Sequence, residues 1–168
     1  MDEAADRPGV IAPPPLIYLA ALVLGMVAQM LQPLILPVPP VARWLGGALA
    51  LVAVAVGVTT RNSFASAGTN VNPYQPATSL VTVGPFRFSR NPMYVGMTTL
   101  YTGGLLMMRN GWMLILLPIL MVLMHLGVVL REERYLTGKF GDSYRQYMAA
   151  VPRYGWAFPW FVKARSNP

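Results

Sequence analysis

The chain has 168 residues, of which 55% are hydrophobic and only 11% charged, a composition too apolar for a soluble core of this size and suited to one membrane domain. With no cysteine and a single histidine, it has no disulfide framework, no thiolate metal site and no His-rich metal cluster. Its net charge of +7 does not point to nucleic acid, because the basic residues stand at the ends of apolar runs, where anionic lipid headgroups account for them.

Residues 1–15 (MDEAADRPGVIAPPP) are acidic and then proline-rich, without the positive n-region or cleavage site of a secretory signal, and read as a flexible leader. A first span is expected over about 16–36, with Gln29, Gln32 and Pro33 at its far end. Val38-Pro39-Pro40 connects it to a second span over 41–60, whose Gly46, Gly47, Ala48, Ala50, Ala53, Ala55 and Gly57 suit close antiparallel packing on the first. Residues 61–91 form the longest polar stretch; up to Val83 it shows neither helix nor strand period and reads as a functional loop.

A third span is predicted over 92–108. Asn91 is a favoured N-cap and Pro92 a favoured first helical residue, so the helix start has a stated mechanism. Asn110-Gly111 turns the chain into a fourth span over 112–131, which continues as helix through Leu136. The C-terminal segment 132–168 carries a second short helix after Gly141, capped by Asp142, with Tyr144, Tyr147 and Met148 on one face and Trp156 and Trp160 beyond. It reads as an aromatic segment lying in the interface. The basic residues divide 11 to one side (Arg7, Arg61, Arg87, Arg90 and everything from Arg131 on) against 2, Arg43 and Arg109, on the other. Both termini and the long loop are therefore expected in the cytoplasm. The fold class is an all-α integral membrane protein with about four transmembrane helices and one polar, cytoplasmic face.

No Ser-His-Asp or Cys-His arrangement is available, so hydrolysis is a poor reading. Arg87, Arg90 and Asn91 meet Glu132-Glu133 if spans three and four pack side by side. Successive helical residues point about 100° apart, so only one of the two glutamates can face a pocket. Glu132 follows His125 by seven residues and shares nearly its face, with His125 about 10 Å deeper. The free N–H groups of a helix start beside two guanidiniums seat a carboxylate or phosphate. Plainer readings stand beside these: a positively flanked span, a neutral histidine bonded between helices, and a solvated Arg-Glu-Glu-Arg cluster.

Residues 80–96 (LVTVGPFRFSRNPMYVG), followed by Glu132-Glu133, Phe140-Gly141, Tyr144, Tyr147 and Val151-Pro152-Arg153, resemble the isoprenylcysteine carboxyl methyltransferase family, whose wider relatives include the phospholipid N-methyltransferases. Short bacterial members share the four-span plan, which implies a bacterial inner membrane. The resemblance implies S-adenosylmethionine as methyl donor, in a pocket formed by the cytoplasmic loop and the C-terminal interfacial helix. Carried over, the donor contacts fall on Thr78, Ser79, Leu80, Val81, Phe86, Asn91, Pro92, Met93, Tyr94 and Glu132. Asn91 stands where the family often has His and Phe86 where it often has Tyr. No metal is implied.

On this reading a methyl group passes in line to a lipophilic small-molecule or lipidated substrate that enters from the bilayer. A carboxylate acceptor needs no base and suits a rim offering Arg87, Arg90 and Arg153. An amine acceptor, as in a phospholipid N-methyltransferase, requires Glu133 or His125 as base. A reading of another class is a non-enzymatic membrane subunit that holds anionic lipid or a partner protein. The oligomeric state is left open by the sequence.

Overall fold

A computed structural model of the chain describes residues 6–70 and 75–155; Trp156 and Trp160 of the expected aromatic segment lie outside them. The helices are α1 (Pro14–Leu31), α2 (Ala42–Ser66), α3 (Pro92–Met108), α4 (Gly111–Met124), α5 (Leu130–Phe140) and α6 (Asp142–Ala150). A 3₁₀ turn, Gly84–Arg87, precedes α3, and a π turn, His125–Val129, joins α4 to α5. Among the described residues, three helical runs are long and apolar enough to cross a membrane, Pro14–Leu31, Ala42–Ser66 and the continuous Gly111–Phe140. At 17 residues, α3 reaches only about 26 Å.

The chain divides into two compact units. One comprises Ile11–Ala55 and Tyr94–Val128, the other Met1–Val10, Val56–Met93 and Val129–Pro168. In the first, α1 packs on α4, where a Cβ on Gly25 would come within 2.7 Å of Met113 Cγ. The small residues of α2 serve a different neighbour from the one expected. A Cβ on Gly46 would lie 2.5 Å from the carbonyl oxygen of Gly103 in α3, so those two backbones touch, while Gly47 and Gly57 meet nothing. Two phenols in this unit find partners on neighbouring helices. Tyr18 Oη lies 2.6 Å from Thr98 Oγ1, and Tyr101 Oη donates to the Met113 carbonyl at 3.1 Å.

Two boundaries of this unit differ from expectation. α1 ends at Leu31, and the segment after it runs extended, pairing Ile35 with Asn110 and bonding Leu36 N to Arg109 O at 2.8 Å. The Asn110-Gly111 turn forms, but its left-handed residue is Arg109 at φ 51°. Asn110 is a buried N-cap that accepts from Met113 N at 3.1 Å and donates to Gly25 O at 3.0 Å.

In the second unit, α2 outlasts the expected end at Thr60 by six residues, to Ser66. Ser63 Oγ donates to Thr59 O at 2.9 Å and Ser66 Oγ to Ser63 O at 3.1 Å, which feeds these hydroxyls back into the helix. Phe64 meets Phe86 edge to face at 5.2 Å, an apolar reason for the helix to persist through polar sequence. Gly141 at φ 55° makes the expected break before α6. Asp142 is the first helical residue and pairs with Arg145, with Gly141 in the cap position. The expected aromatic face of α6 does not lie open. Tyr144 and Tyr147 are buried with Val81, Phe86 and Val151 in a small core that includes Phe64 and Leu136 at its edge.

Candidate functional site

The small core of the second unit presents a buried ion cluster at its side. Glu133, 7% exposed, receives Arg153 Nε on Oε1 at 2.9 Å and Arg153 Nη2 on Oε2 at 2.6 Å, a bidentate clamp. Arg90 Nη2 approaches Oε1 at 3.2 Å, and the side chains of Arg90 and Glu133 are both 9% exposed. The backbone fixes this geometry through the segment before α3. Arg90 N donates to Pro152 O at 3.0 Å, and the Arg153 carbonyl accepts from Ser89 Oγ at 3.1 Å and Asn91 Nδ2 at 3.2 Å. Tyr147 Oη closes the other side by donating to Phe86 O at 2.7 Å. The 151–153 strand of chain is thereby stapled to 86–91.

The choice between the two glutamates follows from the π turn. Packing an extra residue into one turn turns all later side chains back by about one residue's angle, roughly 100°. Glu133 is the buried one and Glu132 is half exposed, so the seven-residue stacking of Glu132 below His125, expected for an unbroken α-helix, is not the observed phase.

A cavity of about 370 Å³ adjoins the clamp, lined by Leu130, Glu133, Arg134, Thr137 and Met148, within the usual range of small-molecule sites. Arg90 keeps Nε and Nη1 buried without a hydrogen-bond partner. Of the clamp's three side chains, Glu133 lines this cavity.

The remaining candidates fall in several places. Thr78 is exposed and donates to Gly68 O at 3.0 Å; Ser79 donates to Ala67 O at 2.8 Å. Leu80, Val81 and Phe86 belong to the small core, with no hydroxyl at Phe86 to reach a ligand. Asn91 and Pro92 are buried and Met93 half-buried. Arg87 is exposed, apart from the clamp. Tyr94 and His125 belong to the other unit. Sequence reasoning missed Ser89, a lone polar residue between two larger signals, and the pairing of Arg153 with Glu133 across twenty residues, for which periodicity holds no sign.

The fold and cluster define an all-α protein with several membrane-length helices and a polar, ion-paired site near the end of one of them. The phospholipid methyltransferase family matches residues 41–143, more than half of the chain, and the protein belongs to that family. It is a membrane methyltransferase whose expected methyl donor is S-adenosylmethionine. The match is to the wider relatives and not specifically to the isoprenylcysteine branch that the motifs resemble. Comparison with the curated proteins and with the solved structures gives no match.

Proposed function

We propose that the protein methylates an amine on a lipid headgroup that reaches the site from the bilayer. The observation that carries this reading is the state of the clamp. Arg90 and Arg153 both face Glu133, so two of the three rim cations that favoured a carboxylate acceptor are already paired, and of the three Arg87 is the one left exposed. The family match points the same way. When bound, S-adenosylmethionine supplies an electrophilic methyl group on a sulfonium. Glu133, which lines the cavity, would hold Arg90 and Arg153 in place, and Leu130 and Met148 would keep water from that hollow. Both Glu133 oxygens are engaged by guanidinium N–H groups, which casts it as a counter-ion and not as the proton acceptor. The acceptor then would react from its free-base fraction: the ammonium gives its proton to solvent, the nitrogen lone pair forms the new N–C bond, and the donor's S–C bond breaks with its electron pair leaving on sulfur as a neutral thioether.

The second reading, transfer to a carboxylate on a lipophilic molecule, rests on the motif run over 80–96. Methyl transfer by the membrane-embedded protein from labelled donor, followed across pH, separates the two. An amine of pKa near 10 gains about tenfold in rate per pH unit from 6 to 8, whereas a carboxylate stays ionised and gains nothing. A flat profile with label released by mild base as methanol would overturn the amine reading.

We further propose that α3 makes a fourth crossing and that both termini and the long loop are cytoplasmic, on the 11-to-2 division of basic residues. Ser66→Cys is expected to resist an impermeant thiol reagent added outside and Gln32→Cys to react. Both positions are exposed, whereas Asn110 is a buried cap and unsuited to the test. The opposite labelling would reverse the orientation.

A further inference from the structure

A second cavity, of about 620 Å³, lies on the other flank of α5, closed by the chain before α1. Its charged lining is Arg7, Arg131, Arg134 and Lys139 against the single carboxylate of Asp6, and Lys139 Nζ already neutralises that carboxylate, reaching Oδ1 at 2.7 Å. Tyr135 Oη donates to the same oxygen at 2.9 Å, and Arg131 Nη1 donates to the Gly9 carbonyl at 2.7 Å. These bonds strap residues 6–9 across α5, where both line the cavity. What they leave is an excess of three cations. Arg131 Nε is buried and has no hydrogen-bond partner, while Arg7 and Arg134 are exposed.

Depth supplies the second argument. Arg131 is the first charged residue after the apolar run from Gly111 to Leu130, so it marks where the helix leaves hydrocarbon. Arg134 follows about 4.5 Å further out and Lys139 about 12 Å out. The polar layer on each side of a bilayer is roughly 5–8 Å thick, which sets Arg131 and Arg134 at headgroup level. Basic pockets at that level take lipid phosphate.

We propose that this cavity is an accessory site for a phosphate-bearing anion, presented by an anionic lipid headgroup or as free phosphate. It lies apart from the Glu133 clamp, sharing only Arg134 with the lining of the other cavity. The site would tie the strap and α5 to the membrane surface through charge.

The test uses the full chain in a nonionic detergent, with thermal unfolding followed as phosphatidylglycerol, phosphatidylcholine or inorganic phosphate is titrated in. Phosphatidylglycerol is expected to raise the melting temperature and phosphatidylcholine not to. The double variant Arg7→Gln/Arg134→Gln, changed at exposed positions with only the Arg134 Nε bond to Leu130 O given up, should require at least about tenfold more phosphatidylglycerol for the same rise, in line with loss of charge-assisted hydrogen bonds. A matching rise with inorganic phosphate supports the site with the free anion as its source; no rise with phosphate supports it with the lipid as source. Equal stabilisation by both lipids, or an unchanged titration in the double variant, would overturn it.

Discussion

Glu133→Ala is expected to cost about 3–5 kcal/mol of stability, near the lower end of that range, because it strands two guanidiniums at the edge of a small core. Arg90 is the more damaged partner, with a side chain 9% exposed and two of its nitrogens already unpaired. Arg153, at 35%, can turn part of its charge to water, which is why the lower end is expected. Glu133→Gln should be milder but still severe, since the amide accepts on one atom only and repels the N–H groups on the other. Glu132→Gln, at a half-exposed position, should change the melting temperature little. Donor binding separates the two carboxylates further. Loss of Glu133 releases Arg90, so stability and S-adenosylmethionine affinity fall together in calorimetry. A Glu132→Gln protein that melts normally but binds donor about ten- to a hundredfold more weakly would mark Glu132 as a direct contact, as the resemblance implies. Equal loss of stability in the two variants would sink the assignment of Glu133 as the counter-ion.

Helix starts were the most legible feature of the chain. Asn91-Pro92 and Asn110-Gly111 are local signals whose physics acts within a turn, and α3 and α4 begin at Pro92 and Gly111. Helix ends were less so. Arg61, Asn62, Ser63 and Ser66 look like loop residues, yet the serines bond back to the helix and Phe64 finds an aromatic partner in Phe86, which stands twenty-two residues away in sequence. The division of labour between Glu132 and Glu133 was illegible for a sharper reason. The π turn at His125–Val129 has no side-chain signature here, and one inserted residue is enough to exchange the two positions. The aromatic face of α6 could be read in register but not in environment. Tyr at helical spacing serves a membrane interface or a buried core equally well, and only the arrival of Val81 and Phe86 decides it. The bonding of Lys139 and Tyr135 to Asp6 has no sign in the sequence, because it spans about 130 residues of chain.

That buried aromatic face gives the protein an alkaline limit. Burial, aided by the negative charge of Glu133, pushes the Tyr144 phenol up to about 12 from its ordinary 10.0, and burial raises Tyr147 as well, with Tyr144 beside it adding to the rise. Below pH 10 both phenols are neutral in the folded and unfolded chains alike, and their contribution is fully present. Above pH 10 the unfolded chain loses these protons and the folded chain keeps them, so the unfolded state gains free energy of ionisation that the native state cannot match. Stability is therefore expected to fall from pH 10 to about 12, by up to about 1.4 kcal/mol per pH unit for each tyrosine. The core concerned carries Phe86, whose carbonyl accepts from Tyr147 Oη, and so anchors the segment that delivers Ser89, Arg90 and Asn91 to the clamp. Donor binding should disappear over the same pH interval as the fold. Phenolate absorbance gives the direct measurement. A late fraction should ionise only as the protein melts, and it should shrink in a variant that lacks Tyr147. Tyr147→Phe removes one late titrant and flattens the alkaline fall, at a cost near neutral pH of about 1–3 kcal/mol for leaving the Phe86 carbonyl without its donor. Complete titration of every tyrosine near pH 10 with the helices and donor binding intact would show that the face of α6 is open to water, and the stapling of 151–153 onto 86–91 would lose its support.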